Sequence, residues 1–573
     1  MKVLLVAVNA KYIHSNLAVY DLKAYVRNLP VQVELAEYTI NQTKEEILRG
    51  IYEYKADVVG FSCYIWNIEY IRAVAEELHK IAPQVRIWFG GPEASYDAVH
   101  LLEELSFVEL VLVGEGEATF AQLLQEHLSE QKELKDIAGI CYRDPEKGIC
   151  ETPLRPYLSM DQIPFVYQDL EKFEHKILYY ETSRGCPFRC SYCLSSIDKR
   201  VRLRSLSLVF PELQFFLDHK VPQVKFVDRT FNCDHKHAYA IWQYIRDHDN
   251  GITNFHFEVA ADLLREEDFE LFAGMRKGLI QLEIGIQSTY PDTIQEIRRV
   301  MDVQKVGECV ERVRRMGNIH QHLDLIAGLP YEDFQQFGQS FNDVYAMRPD
   351  QLQLGFLKVL KGSYMEEQKE AYGLVATSEP PYEVLSTKWL SYEERLRLKD
   401  VEDMVEVYYN SGQFQHALEY LITYFTDAFS FYLALSSYYR QKGWMGLKHT
   451  RLFRYDALLQ FAMDAEKKEG FEKQVLEEYL LHDLYLTENC KKRPEWAGDE
   501  AQCRSMMKQI RDPYWRRKNL SAEISGRLEE ILANRTDLHL ERYPYTREGR
   551  YVLYDYRERD PLSNRAAVFE FSE

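Results

Sequence analysis

The sequence predicts an α/β protein built from two consecutive strand–helix units, followed by a mostly helical third region. Three observations predict it. Over residues 1–150, short apolar runs alternate with helically spaced stretches, and glycine-rich turns follow several of the runs. Over residues 176–395 a second set of strand-and-helix repeats begins. Over residues 396–573 the spacing turns helical and tyrosines and phenylalanines accumulate.

The apolar run at residues 3–8 suits a buried parallel strand. Residues 17–29 read as a helix, 31–38 as a strand, 44–55 as a helix and 57–62 as a strand. A helix at 68–81, strands at 85–89 and 109–113, and a helix at 118–131 complete the first unit. The pattern is a doubly wound, Rossmann-like domain, in which ligands sit at the carboxyl ends of the strands. Gly60-Phe-Ser62, Gly90-Gly91-Pro-Glu93 and Gly114-Glu115-Gly116-Glu117 all fall at or just after such ends. Small residues there let a flat ligand approach the backbone, although each motif alone also suits a tight turn.

Residues 151–175 read as a linker, because Pro153, Pro156 and Pro164 interrupt any periodicity. Strands are then expected at 177–182, 223–231, 254–260, 279–287, 320–329 and 351–360. Polar groups mark these strands: Asp228 in Val227-Asp-Arg-Thr230, Glu258, Glu283 and Gln287 in Glu283-Ile-Gly-Ile-Gln-Ser288, and Asp324 ahead of Gly328-Leu-Pro-Tyr-Glu332. Alternation puts Glu283, Gly285 and Gln287 on one face. Helical spacing follows at 402–409, 414–426, 428–441, 456–468 and 472–485, where an aromatic stripe reads as core. The tail resumes β-like alternation from about residue 538, as in Tyr551-Val-Leu-Tyr-Asp-Tyr556.

The chemistry is concentrated in Glu181-Thr-Ser-Arg-Gly-Cys-Pro-Phe-Arg-Cys-Ser-Tyr-Cys193, which sets Cys186, Cys190 and Cys193 in a C-x₃-C-x₂-C array. Three thiolates at this spacing can converge on a soft metal site, and three ligands on a [4Fe–4S] cluster leave one iron open. A zinc site would need a fourth ligand, and the next cysteine, Cys233, lies forty residues on. A thioredoxin-like pair would use Cys190 and Cys193 and leave Cys186 unexplained.

With Gly185 and Pro187 shaping the loop and Tyr192 before the last cysteine, the stretch resembles the cluster loop of the radical S-adenosylmethionine (SAM) superfamily. The resemblance implies a partial (β/α)₆ barrel whose open iron holds SAM and whose cluster cleaves it by one electron. It makes Tyr192, Asp228, Glu258, Glu283 and Gln287 candidates for the SAM or substrate site. The glycine-rich strand ends ahead of this loop resemble the cobalamin domain of B12-binding radical SAM proteins. Gly60, Ser62, Gly90, Gly91, Gly114, Glu115 and Gly116 are then the cobalamin-facing candidates. No Asp-x-His-x-x-Gly motif, which would ligate cobalt from below, occurs. The first loop reads Asn9-Ala-Lys-Tyr-Ile-His-Ser-Asn16, and a lone loop histidine such as His14 is expected to be solvated. The resemblance covers residues 1–395, and some bacterial members carry a helical extension like 396–573.

Composition bounds the rest. A net charge of −20 argues against broad nucleic-acid binding; Lys199-Arg-Val-Arg-Leu-Arg204 is a local basic run, expected to be a solvated or SAM-facing loop. No apolar run is long enough to span a bilayer, and the N-terminus enters a strand pattern without a cleavage region, so a reducing, cytoplasmic location is expected. The implied activity is methylation of an unactivated carbon using a [4Fe–4S] cluster, SAM and cobalamin. The alternatives are a cobalamin-dependent cyclisation or rearrangement, or a non-catalytic sensor. The resemblance further implies an electron donor such as flavodoxin or ferredoxin and a small-molecule or peptide substrate. By analogy of fold, the tail is expected to close over the cavity or bind a partner.

Overall fold

The computed structural model describes residues 1–10, 14–129, 133–464, 471–533 and 537–572. Its first sheet holds β1 (Lys2–Asn9), β2 (Gln32–Thr39), β3 (Val58–Ser62), β4 (Arg86–Gly90), β5 (Val108–Leu112), β6 (Ile140–Asp144) and β7 (Gly148–Glu151) in the order β2-β1-β3-β4-β5-β6-β7. Strands β1 to β5 run parallel, with Val3 beside Val58 and Ala7 beside Ser62. The order reverses between β1 and β3, and such a switch point opens a ligand crevice. Every residue of β1 after Lys2 is buried, as a strand covered on both faces requires.

The β6–β7 hairpin, antiparallel to β5, is an addition to the five strands read from sequence. It turns at Asp144, whose carboxylate accepts from the backbone N–H groups of Glu146 and Lys147. Short strands around such a turn carry little periodic signal.

The second sheet holds β8 (Leu178–Tyr180), β9 (Gln223–Phe226), β10 (Asn254–Glu258), β11 (Ile280–Gln287), β12 (His320–Ala327) and β13 (Gln351–Phe356). All six are parallel and adjacent in chain order, with β8 and β13 at the two open edges. On β11 burial alternates without a break: Ile280, Leu282, Ile284 and Ile286 join the apolar core, while Gln281, Glu283, Gly285 and Gln287 point the other way. A closed barrel is filled by branched apolar side chains. Here the inner face carries Lys225, His256, Glu258, Glu283, His322 and Asp324.

Residues 151–175 do not run free. Arg204 donates to the carbonyls of Met160 (2.6 Å) and Ile163 (2.8 Å), and Tyr167 is fully buried. The first loop of the N-terminal sheet docks directly on β8. Ser15 N–H donates to Ile177 O at 3.1 Å, and Tyr179 N–H donates to Ser15 Oγ at 3.0 Å. His14 is therefore buried, not solvated, and its ring stacks on Tyr179 at 4.8 Å and 9°. Nothing local in the sequence marks His14 as covered, because the strand that covers it lies far along the chain.

The tail packs away from the cavity. Helix Ala428–Gln441 lies on helix Phe334–Ala346, where a Cβ on Gly338 would come within 2.6 Å of the Phe429 ring. Strands Leu538–Tyr543, Arg550–Arg559 and Ala566–Phe571 form an antiparallel sheet, and Asp560 pairs with Lys277 before β11, at the amino ends of the strands. What spans the other end is a strap at residues 357–390. Lys361 pairs with Asp97 at 2.8 Å, Tyr382 with Glu93, and Tyr372 with Glu296, while Met365 N–H donates to Ser191 O.

Arg184 joins the two sheets. It lies 2.7 Å from Glu117, 2.9 Å from Glu181, 3.6 Å from Glu115 and 3.8 Å from Asp21. Burial disfavours its charge, but Glu181 and Glu117 outweigh that and hold it protonated. Replacing Arg184 with Met leaves a buried group of carboxylates uncompensated, a loss worth roughly 3–5 kcal/mol of stability. A chemical denaturation midpoint that drops accordingly is the expected result; an unchanged midpoint would show that the network adds nothing.

Candidate functional site

The cysteine loop leaves β8 and is shaped before any metal binds. Thr182 N–H (3.0 Å), Thr182 Oγ1 (2.7 Å) and Ser183 Oγ (2.6 Å) all donate to Asp228, which is 1% exposed. Burial pushes the Asp228 carboxyl up to about 6, against these bonds. Gly185 sits at φ +91°, and a Cβ there would meet Arg200 O at 2.3 Å, so only glycine lets residues 198–200 lie against the loop. Cys186 N–H donates to Asp198 O, and Ser191 N–H to Ile297 O.

Cys186 and Cys190 are buried, Cys193 is half-buried, and all three are free thiols. Their sulfurs do not all lie within 4.8 Å of one another; among the described residues the one such group of ligand atoms is Glu283, His322 and Asp324.

Arg299, which the sequence reading missed, lies against this loop. Its Nη1 is 3.7 Å from Cys190 Sγ and 3.2 Å from Tyr192 Oη, and Nη2 donates to Gly285 O. Burial pushes the Cys190 thiol up, and the Arg299 guanidinium pulls the other way. Opposite it, Gln287 adopts φ +73° at a bulge between β11 and β12, and its amide folds back over Gly285. Gln287 Oε1 and Arg299 Nε are buried without hydrogen-bond partners. Only its place twelve residues beyond Gln287 could have marked Arg299.

Deeper in the lumen Glu283 accepts from Lys225 at 3.0 Å and lies 2.9 Å from His256 Nε2. Burial raises its carboxyl, but His256 and Lys225 win and hold it at about 2. Glu258 is pushed up to about 7, mainly by burial. Burial also raises Asp324, whose partner His322 lies 3.0 Å away.

At the edge of the first sheet the candidates divide. Glu115 is already paired, with Arg202 at 2.5 Å and Arg184 at 3.6 Å, so it ties the two sheets together. Ser62 is buried, and its carbonyl accepts from Asn67 Nδ2. A Cβ would meet Leu5 at 3.0 Å on Gly60, Cys63 O at 2.5 Å on Gly91, and Leu22 at 3.1 Å on Gly116. Those three are small for the protein's own packing. Gly114 has nothing within 4 Å, and Gly90 meets only Leu112, at 3.5 Å, so the open edge lies there.

Two family models fall on this geometry: the B12 binding domain over residues 3–124 and the Radical SAM superfamily over residues 180–344. The chain carries a B12-binding domain and a radical SAM domain. A third model, a protein family of unknown function (DUF4080), covers residues 370–547. The chain is 26% identical over 345 residues to an uncharacterized methyltransferase, PH0819, of Pyrococcus horikoshii, covering 58% of this chain and 74% of that one. It is 25% identical over 355 residues to the cobalamin-dependent radical SAM methyltransferase TokK of Streptomyces tokunonensis, covering 58% of this chain but 51% of TokK. The solved structure of the cobalamin-dependent SAM radical enzyme OxsB shares its fold, with a TM-score of 0.58 at 16% identity, over 84% of this chain and 78% of OxsB.

A radical SAM domain takes a [4Fe–4S] cluster and SAM, and a B12-binding domain takes cobalamin. The residues present fit all three: three free thiols in one loop, an unpartnered acceptor and donor in Gln287 and Arg299, and open space at Gly114. Replacing Cys186, Cys190 or Cys193 by Ala is expected to lower bound iron and sulfide and abolish SAM cleavage, while Ser at Cys141 or Cys309 leaves both intact. Iron analysis with product detection decides this, and full activity of any one of the first three variants would sink the ligand set.

Proposed function

We infer that this protein methylates an unactivated carbon of a small-molecule or peptide substrate, using a [4Fe–4S] cluster, SAM and cobalamin. The observation that carries it is the joining of the cysteine loop to the cobalamin-domain edge: Arg184 and Arg202 of the loop region grip Glu115 and Glu117 of the edge. When bound, the cluster and SAM supply hydrogen-atom abstraction, and cobalamin supplies the methyl group. The chain's own residues bind, orient and exclude water. Cys186, Cys190 and Cys193 would hold the cluster, and Arg299 lies against Cys190 and Tyr192. Gln287 and Arg299 offer an acceptor and a donor to the amino-acid end of SAM. Glu258 and Glu283 face the lumen, where a sugar hydroxyl or the substrate would sit. Gly90 and Gly114 leave the corrin its room, while Gly60, Ser62, Gly91 and Gly116 shape the edge beneath it. Ten free cysteines suit a reducing, cytoplasmic setting, and one-electron reduction calls for a carrier protein such as flavodoxin or ferredoxin.

His14 is not placed to serve cobalt. Its ring is stacked on Tyr179, and its Nδ1 lies 3.1 Å from Ser15 O. Electron paramagnetic resonance of the Co(II) form is therefore expected to lack protein-nitrogen splitting; a clear nitrogen pattern would overturn this and make His14 the first residue to change.

For SAM, Gln287→Ala and Arg299→Met should each retain the cluster yet weaken SAM binding about tenfold or more, since a hydrogen bond to a charged group contributes roughly 1.5–3 kcal/mol. Equilibrium binding by the reconstituted protein measures this, and unchanged affinity in both variants would make these residues structural. The reaction itself is tested by product mass after turnover with extracts of a deletion strain. One added methyl group supports methylation, an unchanged or dehydrogenated skeleton supports cyclisation or rearrangement, and no SAM cleavage with a full cluster supports a sensor.

A further inference from the structure

The basic run after the cysteine loop divides in two in three dimensions. Arg202 and Arg204 turn inward, to Glu115 and Glu212. Lys199 and Arg200 turn outward and are exposed, as are Arg189 inside the loop and Arg298 on its far side. No ion pair or side-chain hydrogen bond holds any of these four among the described residues. Arg298 rests only on the Tyr364 ring, at 3.6 Å.

The four flank the cysteines closely. Asp198 O accepts from Cys186 N–H, and Arg200 O lies against Gly185, so 198–200 form one bank. Ile297 O accepts from Ser191 N–H, and Arg299 touches Cys190, so 297–299 form the other. Exposed apolar side chains lie between and beside the cations: Ile197, Leu203 and Val300, the last 74% exposed.

In a chain of net charge −20, four exposed cations without an ion-pair partner among the described residues gather around one loop. We propose that this surface docks an acidic one-electron carrier protein of the flavodoxin type. The proposal rests on the reading of the three cysteines as cluster ligands. A compact partner whose acidic face covers only this patch gains the attraction and avoids the rest of the surface. An extended polyanion would run onto the acidic remainder and be repelled. Unpaired cations beside exposed apolar groups also match a transient interface, in which charge sets orientation and on-rate and the apolar groups supply contact. In the transfer the carrier is oxidised by one electron and the cluster reduced by one, with no group or proton passed to the chain.

The test uses reconstituted holoprotein, purified flavodoxin and two variants, Lys199→Glu/Arg200→Glu and Arg298→Glu. Flavodoxin binding is titrated at low and at roughly physiological salt, and SAM cleavage is driven by either reduced flavodoxin or dithionite. Binding is expected to weaken at least about tenfold in the double variant and to lose most of its salt dependence. Bound iron and dithionite-driven cleavage should stay at wild-type levels while flavodoxin-driven cleavage falls with binding. Equal flavodoxin affinity in wild type and double variant overturns the proposal, as does tighter binding of a single-stranded RNA through the same residues. If the wild type binds flavodoxin through the patch but cleaves no SAM even with dithionite, the docking surface stands and the enzymatic reading falls.

Discussion

One buried guanidinium organises this molecule. Arg184 stands two residues before Cys186 and faces carboxylates from both sheets: Asp21, Glu115 and Glu117 on one side and Glu181 on the other. A planar guanidinium with several donors can serve such a group in fixed directions, which an ammonium cannot. Fixing Arg184 therefore fixes the start of the cysteine loop relative to the cobalamin-domain edge. The surrounding acids are not equivalent. Burial raises Asp21 and Glu181, while Glu115 is lowered because Arg202 and Arg184 outweigh its burial.

The second constraint is the two-residue period of the barrel strands. On β11 every apolar residue faces the helices and the polar ones face the lumen; β12 keeps the period with His322 and Asp324 inward, but its Gln321 is buried on the helix side, donating to Val310 O, and Ile326 lies on the lumen face. A lumen lined this way cannot dry out and collapse, because Lys225, His256, Glu283, His322 and Asp324 satisfy one another only in part. It stays a polar shaft under the cysteine loop. The bulge at Gly285 and Gln287 breaks the period at the loop end and turns the Gln287 amide back toward Arg299.

Much of this was legible in the sequence, and the rest was hidden for a common reason. The cysteine loop was legible because its spacing is local, and the strands because alternation is local. Helix Ile68–Ile81 falls where its spacing put it. The burial of His14 depends on Ile177 and Tyr179, more than 160 residues away, and the role of Glu115 depends on Arg202, 87 residues away. Glycine was legible as a strand-end signal but not in its cause. Gly91 is small because Cys63 O lies beneath it, whereas Gly114 borders open space. Asp228 was read as a ligand contact, yet its two oxygens already accept three bonds that shape the loop.

The C-terminal region bears on the site through the strap rather than by covering it. Arg395, in helix Tyr392–Met404, donates to Val384 O at 2.7 Å and pairs with Glu383, and Val384 N–H donates to Leu357 O at 2.8 Å. Those contacts bind the tail's first helix to the strap, which in turn meets Ser191 between two of the cysteines, Glu296 beside Arg299, and Glu93 and Asp97 after Gly91. The DUF4080 match begins at residue 370, inside the strap, and continues through the tail to residue 547. The strap thus ties the tail's first helix to the region between the edge of the first sheet and the cysteine loop, above the polar lumen.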